Sequence, residues 1–378
     1  MGGEPSPQVR KSSNPQILKS SNPSRVLLVR LRQIGDVVFT TPALHGLRRH
    51  FPDAHITYLV EPAAAPVVRN NPHIDELIVS PRANFLSDLA FGRRLRAARY
   101  DVAIDFHGGP RASLLTWLSR APVRIGYEVV GRAWMYTTRV ARPRQLRARH
   151  GVENQWDLLA ALGISPPDRH TFPVEMAVDG NAAATVSARL ERAGVRSTDR
   201  LALVHVSAGN PFRRWPPSAF AATVAALVSR DADRRVIVLS GPSEHEAASS
   251  VIEDARGRLR EAERDRVLSI GEFSLAELRA LLDRAALFIG GDSGPLHIAA
   301  TSTVPIVGLY GPTLPVRSEP WRDRNLVTES VEVTGLACRP CEQRVCVHGD
   351  FRCLATLSPD TVIGTAERAL ARASPSSR

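Results

Sequence analysis

The stretch Phe288-Ile289-Gly290-Gly291-Asp292-Ser293-Gly294-Pro295-Leu296-His297-Ile298-Ala299-Ala300 decides how this chain is read. Ala286 to Ile289 has the apolar run of a short buried strand. Two glycines break it, and the run from Ser293 onward reads as a helix. Ser293 or Asp292 suits the cap of that helix, and Pro295 suits its first turn. A Gly-rich strand-to-helix turn presents backbone N–H groups without intrahelical partners, which favours a phosphate. Asp292 places a carboxylate where a neutral turn would suffice, and so suits hydroxyl or amine groups beside that phosphate. An ordinary Rossmann-like turn with a capping Asp accounts for the same residues.

The pattern repeats outward from this segment. Val26 to Val29 is an apolar strand, followed by the loop Arg32-Gln33-Ile34-Gly35-Asp36 and a helix through about His50. Strand-like and helix-like segments then alternate: His55 to Val60, Ala63 to Arg69, Glu76 to Val79, Phe85 to Ala98, Asp101 to Phe106, Ala112 to Ser119 and Val123 to Gly126. A helix at about Gly151 to Leu162 leads out of this set, and a polar helix near Asn181 to Ala193 follows. A second alternating set starts at Leu201 to Val206, and a last helix covers about Pro359 to Ala373. Alternation of this kind predicts βαβ units and parallel sheets. The expected class is α/β, with two Rossmann-like domains facing a central cleft and ligands at the carboxyl ends of the strands. The expected domains are 25–175 and 195–358, with a disordered tail at 1–24 and a terminal helix and tail at 359–378. The 1–24 segment is rich in Ser, Pro and Asn, repeats Lys-Ser-Ser-Asn-Pro, and has no apolar face to bury.

The 378 residues are 43% hydrophobic, enough for two large cores. The net charge of +11 favours anionic partners. Lysine occurs only at Lys11 and Lys19, so Arg carries nearly all of the positive charge. Arginine gives forked hydrogen bonds to phosphate and carboxylate. No compact block of basic and aromatic residues marks a nucleic-acid module, so no nucleic-acid partner is expected. There is no apolar run of membrane-spanning length and no secretory h-region, and a cytoplasmic location is expected. Cys338, Cys341, Cys346 and Cys353 run C-x2-C-x4-C-x6-C near the end of the chain, with His348 among them. Zinc, a redox-dependent bridge and reduced structural thiols all fit that spacing.

Four further strand ends carry chemistry. The loop after the first strand lacks both G-x-G-x-x-G and G-K-[ST], which disfavours a nicotinamide oxidoreductase and a P-loop enzyme. Asp36 there reads either as a helix N-cap or as a general base. Asp105-Phe106-His107-Gly108-Gly109-Pro110-Arg111 places His107 and Arg111 at a strand end, where a structural role competes with an acceptor contact. His205-Val206-Ser207-Ala208-Gly209 leads to Arg213 and Arg214, an anion site or a solvated loop with Trp215 packed beneath it. Gly241-Pro242-Ser243-Glu244 turns into a helix, with acids near its positive end, and capping alone explains it.

Together, Gly35-Asp36-Val37-Val38-Phe39-Thr40-Thr41-Pro42-Ala43-Leu44, Arg213-Arg214-Trp215-Pro216, Gly290 to Ala300 and Gly308-Leu309-Tyr310-Gly311-Pro312-Thr313 resemble glycosyltransferase family nine, the heptosyltransferases. The likeness runs in order over about residues 25 to 372, and the late cysteines resemble those of many members. It implies a GT-B fold with an N-terminal acceptor domain and a C-terminal donor domain. It implies inverting, metal-independent transfer from an ADP-sugar to a lipopolysaccharide-core or related glycan, with no cofactor. Asp36 would be the general base. Ser207, Arg213, Glu244, Asp292, Ser293, Gly294 and His297 would bind the donor, and Arg32, His107 and Arg111 the acceptor. An anionic glycolipid acceptor implies peripheral contact with the inner face of the cytoplasmic membrane. Arg213 departs from the family, which usually carries Lys at that place. The competing expectations are another GT-B enzyme such as a sugar-nucleotide epimerase, and a non-catalytic glycan- or nucleotide-binding protein.

Overall fold

The computed structural model describes residues 9–11, 22–80, 84–142, 149–208, 210–241, 244–341 and 345–373. Gly209, Pro242 and Ser243 of the expected loops, and most of the 1–24 tail, lie outside them. The chain divides into two units between Ala177 and Val178.

The first unit holds β1 (Val9–Lys11), β2 (Arg25–Val29), β3 (His55–Val60), β4 (Glu76–Val79), β5 (Val102–Asp105), β6 (Val123–Tyr127) and β7 (Thr138–Val140). Their order is β1-β7-β6-β5-β2-β3-β4. All neighbours are parallel except the β1–β7 pair. The second unit holds β8 (Arg200–His205), β9 (Arg234–Leu239), β10 (Val267–Leu268), β11 (Ala285–Gly291), β12 (Ile306–Tyr310) and β13 (Thr328–Glu332), in the order β10-β9-β8-β11-β12-β13. Counting only the parallel strands, both sheets have the doubly wound order 3-2-1-4-5-6. Each therefore has a switch point, between β2 and β5 in one and between β8 and β11 in the other. There the connections leave to opposite sides and the strand ends open a crevice. The central strands are buried on both faces, as in Val26 to Val29 and Leu201 to Val204, which is why they read as continuous apolar runs.

Several elements differ from the sequence reading. The single helix expected after β2 is two, Ile34–Val38 and Thr41–His50. Pro42 has no N–H to give the Val38 carbonyl, and the Thr41 hydroxyl donates to that carbonyl instead, at 2.8 Å. Within the expected tail, Val9–Lys11 pairs antiparallel with Thr138–Val140. An edge strand needs only backbone partners, so the missing apolar face did not prevent it. Helix Gly180–Arg192 belongs to the second unit. It buries Ala182, Val186 and Leu190 at four-residue spacing and packs on helix Leu275–Leu282. The last helix, Pro359–Ala373, has the expected bounds and puts Val362, Ala366, Ala369 and Leu370 into the core of the second unit.

Candidate active site

In the first unit the register pairs Val29 with Asp105, so the loops after β2 and β5 emerge side by side. Asp36 lies in the first turn of Ile34–Val38 and is not its N-cap, a position held by Gln33. Its carboxylate is 44% exposed and pairs with the Arg30 guanidinium, whose side chain is only 9% exposed. Arg30 also donates to the Phe106 carbonyl at 2.6 Å and so ties the two loops together. Gln155 donates to the Asp36 carbonyl at 3.2 Å. The outcome is a half-exposed carboxylate held from behind by a buried cation, a placement suited to taking a proton from a bound hydroxyl.

His107 adjoins this pair. Burial pushes its imidazole down to about 4, and the Arg30 and Arg32 charges add to that against the opposing pull of Asp36. At neutral pH it is therefore an uncharged ring, and its Nδ1 is buried without a hydrogen-bond partner. A Cβ at Gly109 would lie 2.6 Å from the His107 ring, so only glycine leaves that ring its place. Beneath it, Asp105 is fully buried and accepts from the N–H groups of His107 and Gly108, both at 2.8 Å, and from Tyr136 Oη at 2.6 Å. Burial raises the Asp105 carboxyl despite these donors. Arg32 is exposed beside the same loop. Arg111 is placed differently: its guanidinium donates to Asp88 at 3.0 Å, Glu61 at 2.9 Å and Ser80 at 3.0 Å. That network fastens its helix to the segments after β3 and β4 and to helix Phe85–Ala97.

In the second unit Gly290 pairs with His205, which aligns the loops after β8 and β11. Arg213 Nη1 reaches Asp292 Oδ2 at 3.2 Å, and His297 Nε2 lies 3.6 Å from Asp292 Oδ1. Asp292 is buried. Burial alone would raise its carboxyl, but His297, Arg213 and the Thr313 hydroxyl outweigh that and hold it below the usual range. A Cβ at Gly291 would meet the Arg213 carbonyl at 3.4 Å, so the backbone approach here is close. Ser293 stands at the N-cap of Gly294–Ala299 with no side-chain cap bond, and its Oγ is buried without a hydrogen-bond partner. Ser207 Oγ accepts from the Gly241 N–H at 2.9 Å. Glu244 pairs with Arg214, which also donates to the Ala208 carbonyl at 3.0 Å. Trp215 packs beneath the loop, donating to the Leu357 carbonyl at 3.0 Å.

The sequence reading thus found Asp36, His107, Arg213, Asp292, Ser293 and His297 at the strand ends of the two switch points. It missed Arg30, the partner of Asp36. The available signal was a charged residue directly after an all-apolar strand. It also gave Asp105 no role, although a carboxylate inside a buried strand end calls for donors. Cys338, Cys341, Cys346 and Cys353 are free, partly buried thiols. Backbone N–H groups of Phe351, His348, Gly349 and Asp350 hold the Cys346 thiol below its usual range, while burial raises Cys353. Among the described residues these sulfurs do not close into a group of metal-spaced ligand atoms.

Two sheets of doubly wound order, each with a carboxylate paired to an arginine at its switch point, are the two Rossmann-like halves of the GT-B fold class. The model of "Glycosyltransferase family 9 (heptosyltransferase)" matches residues 89–351, and the chain belongs to that family. It is similar to lipopolysaccharide heptosyltransferase 3 of Escherichia coli (strain K12), 30% identical over 304 residues that cover 78% of this chain and 84% of the relative. The family 9 glycosyltransferase of Veillonella parvula DSM 2008 superposes with a TM-score of 0.78 at 25% identity, covering 93% of this chain and 98% of that one. The E. coli ADP-heptose lps heptosyltransferase II shares the fold, with a TM-score of 0.73 at 18% identity, covering 92% and 99%. The alternatives of an epimerase and a non-catalytic binding protein give way to membership of a transferase family.

Proposed function

We propose that this enzyme transfers a heptose from ADP-heptose to a lipopolysaccharide-core or related glycan, with inversion at the anomeric carbon and no metal ion in the chemistry. The observation that carries the reading is Asp36, a half-exposed carboxylate at the β2/β5 switch point of a family 9 chain, backed by Arg30. The names of the E. coli relatives support the donor and acceptor classes.

Asp36 takes the proton of the acceptor hydroxyl as its oxygen attacks the anomeric carbon. The bond from that carbon to the diphosphate oxygen breaks, and its electron pair leaves with ADP. Arg213, the Ser293 hydroxyl and the Gly294 N–H offset the charge that gathers on the departing diphosphate. Arg in place of Lys serves there, since the role needs charge and donors. Asp292, held by Arg213 and His297, faces the donor's hydroxyls, Ser207 supports the phosphate turn, and Glu244 with Arg214 contacts the nucleoside. Neutral His107 and exposed Arg32 contact the acceptor, with Arg111 fixing the helix that follows His107.

The test is transfer from a panel of ADP-, GDP- and UDP-sugars to purified core acceptors, read by mass spectrometry, with the anomeric configuration read by NMR. ADP-heptose should be the preferred donor, and transfer should persist in chelator. Preference for another nucleotide, or retention of configuration, would refute the reading. We further propose charge-driven contact with the anionic membrane surface that carries such an acceptor. None of the described helices is long and apolar enough to cross a membrane. Surplus Arg adds roughly 1 kcal/mol per residue near an anionic surface, screened by salt. Flotation with anionic liposomes should show binding at low salt that is lost at high salt. Binding that survives salt would point instead to the exposed Phe85 and Leu86 at the start of helix Phe85–Ala97.

A further inference from the structure

The segment between β6 and β7 sends two side chains back to the turn that carries His107. Arg132 Nη2 donates to the Gly108 carbonyl at 3.1 Å. Tyr136 Oη donates to Asp105 Oδ2 at 2.6 Å, and both of those side chains are buried. Register explains how Tyr136 arrives there. Asp105 pairs with Gly126 across the β5–β6 ladder, and a Cβ at Gly126 would overlap the Tyr136 ring. Glycine lets the ring pass over β6, so that its hydroxyl meets the end of β5. Ser113, on helix Pro110–Leu118, completes the group. Its Oγ lies 2.7 Å from Tyr136 Oη, 2.9 Å from the Gly109 carbonyl oxygen and 3.3 Å from Asp105 Oδ2. Asp105 Oδ1 meanwhile accepts from the N–H groups of His107 and Gly108.

A turn that only joined β5 to its helix would not need this apparatus, since loop backbone groups ordinarily face water. A carboxylate with no exposed surface is costly, and it is tolerated here because each of its oxygens receives donors. What the group fixes is the backbone on either side of one side chain: the N–H of His107, the N–H and carbonyl of Gly108 and the carbonyl of Gly109. His107 is also the side chain of this turn with a buried Nδ1 that has no hydrogen-bond partner, and it feels the charges of Arg30 and Asp36. A side chain that places a substrate needs such support, because a misplacement of about 1 Å costs up to roughly 10²-fold in rate.

We propose that Asp105, Tyr136 and Ser113 form a positioning network that aims His107 at the acceptor, so that the β6–β7 segment helps to set acceptor recognition. The network side chains are buried and act through the turn, not on the substrate. The inference rests on the reading of Asp36 and His107 as the acceptor side of the transfer site.

Tyr136→Phe is the direct test, because it deletes one hydroxyl and keeps the ring against Gly126. With ADP-heptose and a lipopolysaccharide-core acceptor, acceptor kcat/KM should fall by roughly 10-fold to 10²-fold, mainly through KM. ADP affinity by calorimetry should match wild type, and the stoichiometry of that titration counts the folded molecules. Ser113→Ala, which suits a helix, should give a smaller loss of the same kind. In a His107→Ala background the Tyr136→Phe loss should disappear, because the network has nothing left to aim. Wild-type acceptor KM in both Tyr136→Phe and Ser113→Ala would overturn the network and leave the transferase reading intact, even if Tm fell. So would a Tyr136→Phe loss that persists in full beside His107→Ala. If His107→Ala alone leaves acceptor KM unchanged, the acceptor reading of His107 fails and takes the proposal with it.

Discussion

Asp36 and Arg213 occupy corresponding places, each in the segment after the first parallel strand of its unit, yet they carry opposite charge. Asp36 is held by Arg30, and Arg213 holds Asp292. Replacing Asp36 by Asn removes the proton acceptor while keeping the side chain's size and a hydrogen bond to Arg30. Transfer should fall by roughly 10²–10⁴-fold, with ADP affinity nearly unchanged. Turnover close to wild type would take Asp36 out of the mechanism. Arg213→Ala should do the reverse. It should weaken ADP binding by about 1.5–3 kcal/mol, the worth of one charge-assisted contact, and calorimetry measures this directly. Unchanged ADP affinity would place the diphosphate elsewhere.

Elements fix these residues through close approaches that leave little freedom. Helix Thr41–His50 follows the short helix that carries Asp36 and packs on helix Gly151–Ala160, which supplies Gln155. The contact passes through Gly46, where a Cβ would lie 2.6 Å from the Trp156 ring. That ring is buried and anchored, with Nε1 donating to the Ser165 carbonyl at 2.7 Å. Gly46→Ala gains about 1 kcal/mol of helix propensity. Overpacking against an indole that cannot move aside costs about 1–3 kcal/mol. The net should be destabilising, read as a lower urea midpoint with an unchanged slope. A raised midpoint would show that the two helices can separate without loss.

At the scale of the whole molecule, each unit holds an uncharged histidine beside its switch point, His205 buried and His107 partly so. Burial pushes His205, and likewise His107, from 6.5 to about 4. Below pH 6.5 the unfolded chain takes up protons that the folded chain refuses, so stability falls as pH drops from 6.5 towards 4. Asp292 acts in a lower window, since its depressed carboxyl loses stabilisation only as pH falls through its folded value, below the ordinary 3.8. The two histidines should pull Tm down between pH 6.5 and 4, against the opposite pull of the raised Asp105 carboxyl, and His205→Gln should remove part of the downward pull. An identical slope in the variant would mean that His205 protonates freely in the folded state.

The sequence by itself determined the punctuation of the fold. Gly290-Gly291 ending a strand, Pro295 opening a helix, and apolar runs alternating with helical periods are all rules of a few residues' range. They placed Asp36, His107, Arg213 and Asp292 at strand ends without reference to the rest of the chain. The break at Pro42 belongs to the same range and was legible there, as a proline whose missing N–H ends the preceding turn. The tertiary structure alone decided which strand ends are neighbours. Strand order puts β2 beside β5 and β8 beside β11, and that adjacency gives Asp36 its Arg30–Phe106 backing and gives Arg213 the Asp292 carboxylate. It also showed that Arg111 is held by Glu61, Asp88 and Ser80, and that Val9–Lys11 finds an edge to pair with. Tyr136 meets Asp105 for the same reason. Side-chain pairing depends on distances in space, and these are set by how the sheet is wound, not by separation along the chain.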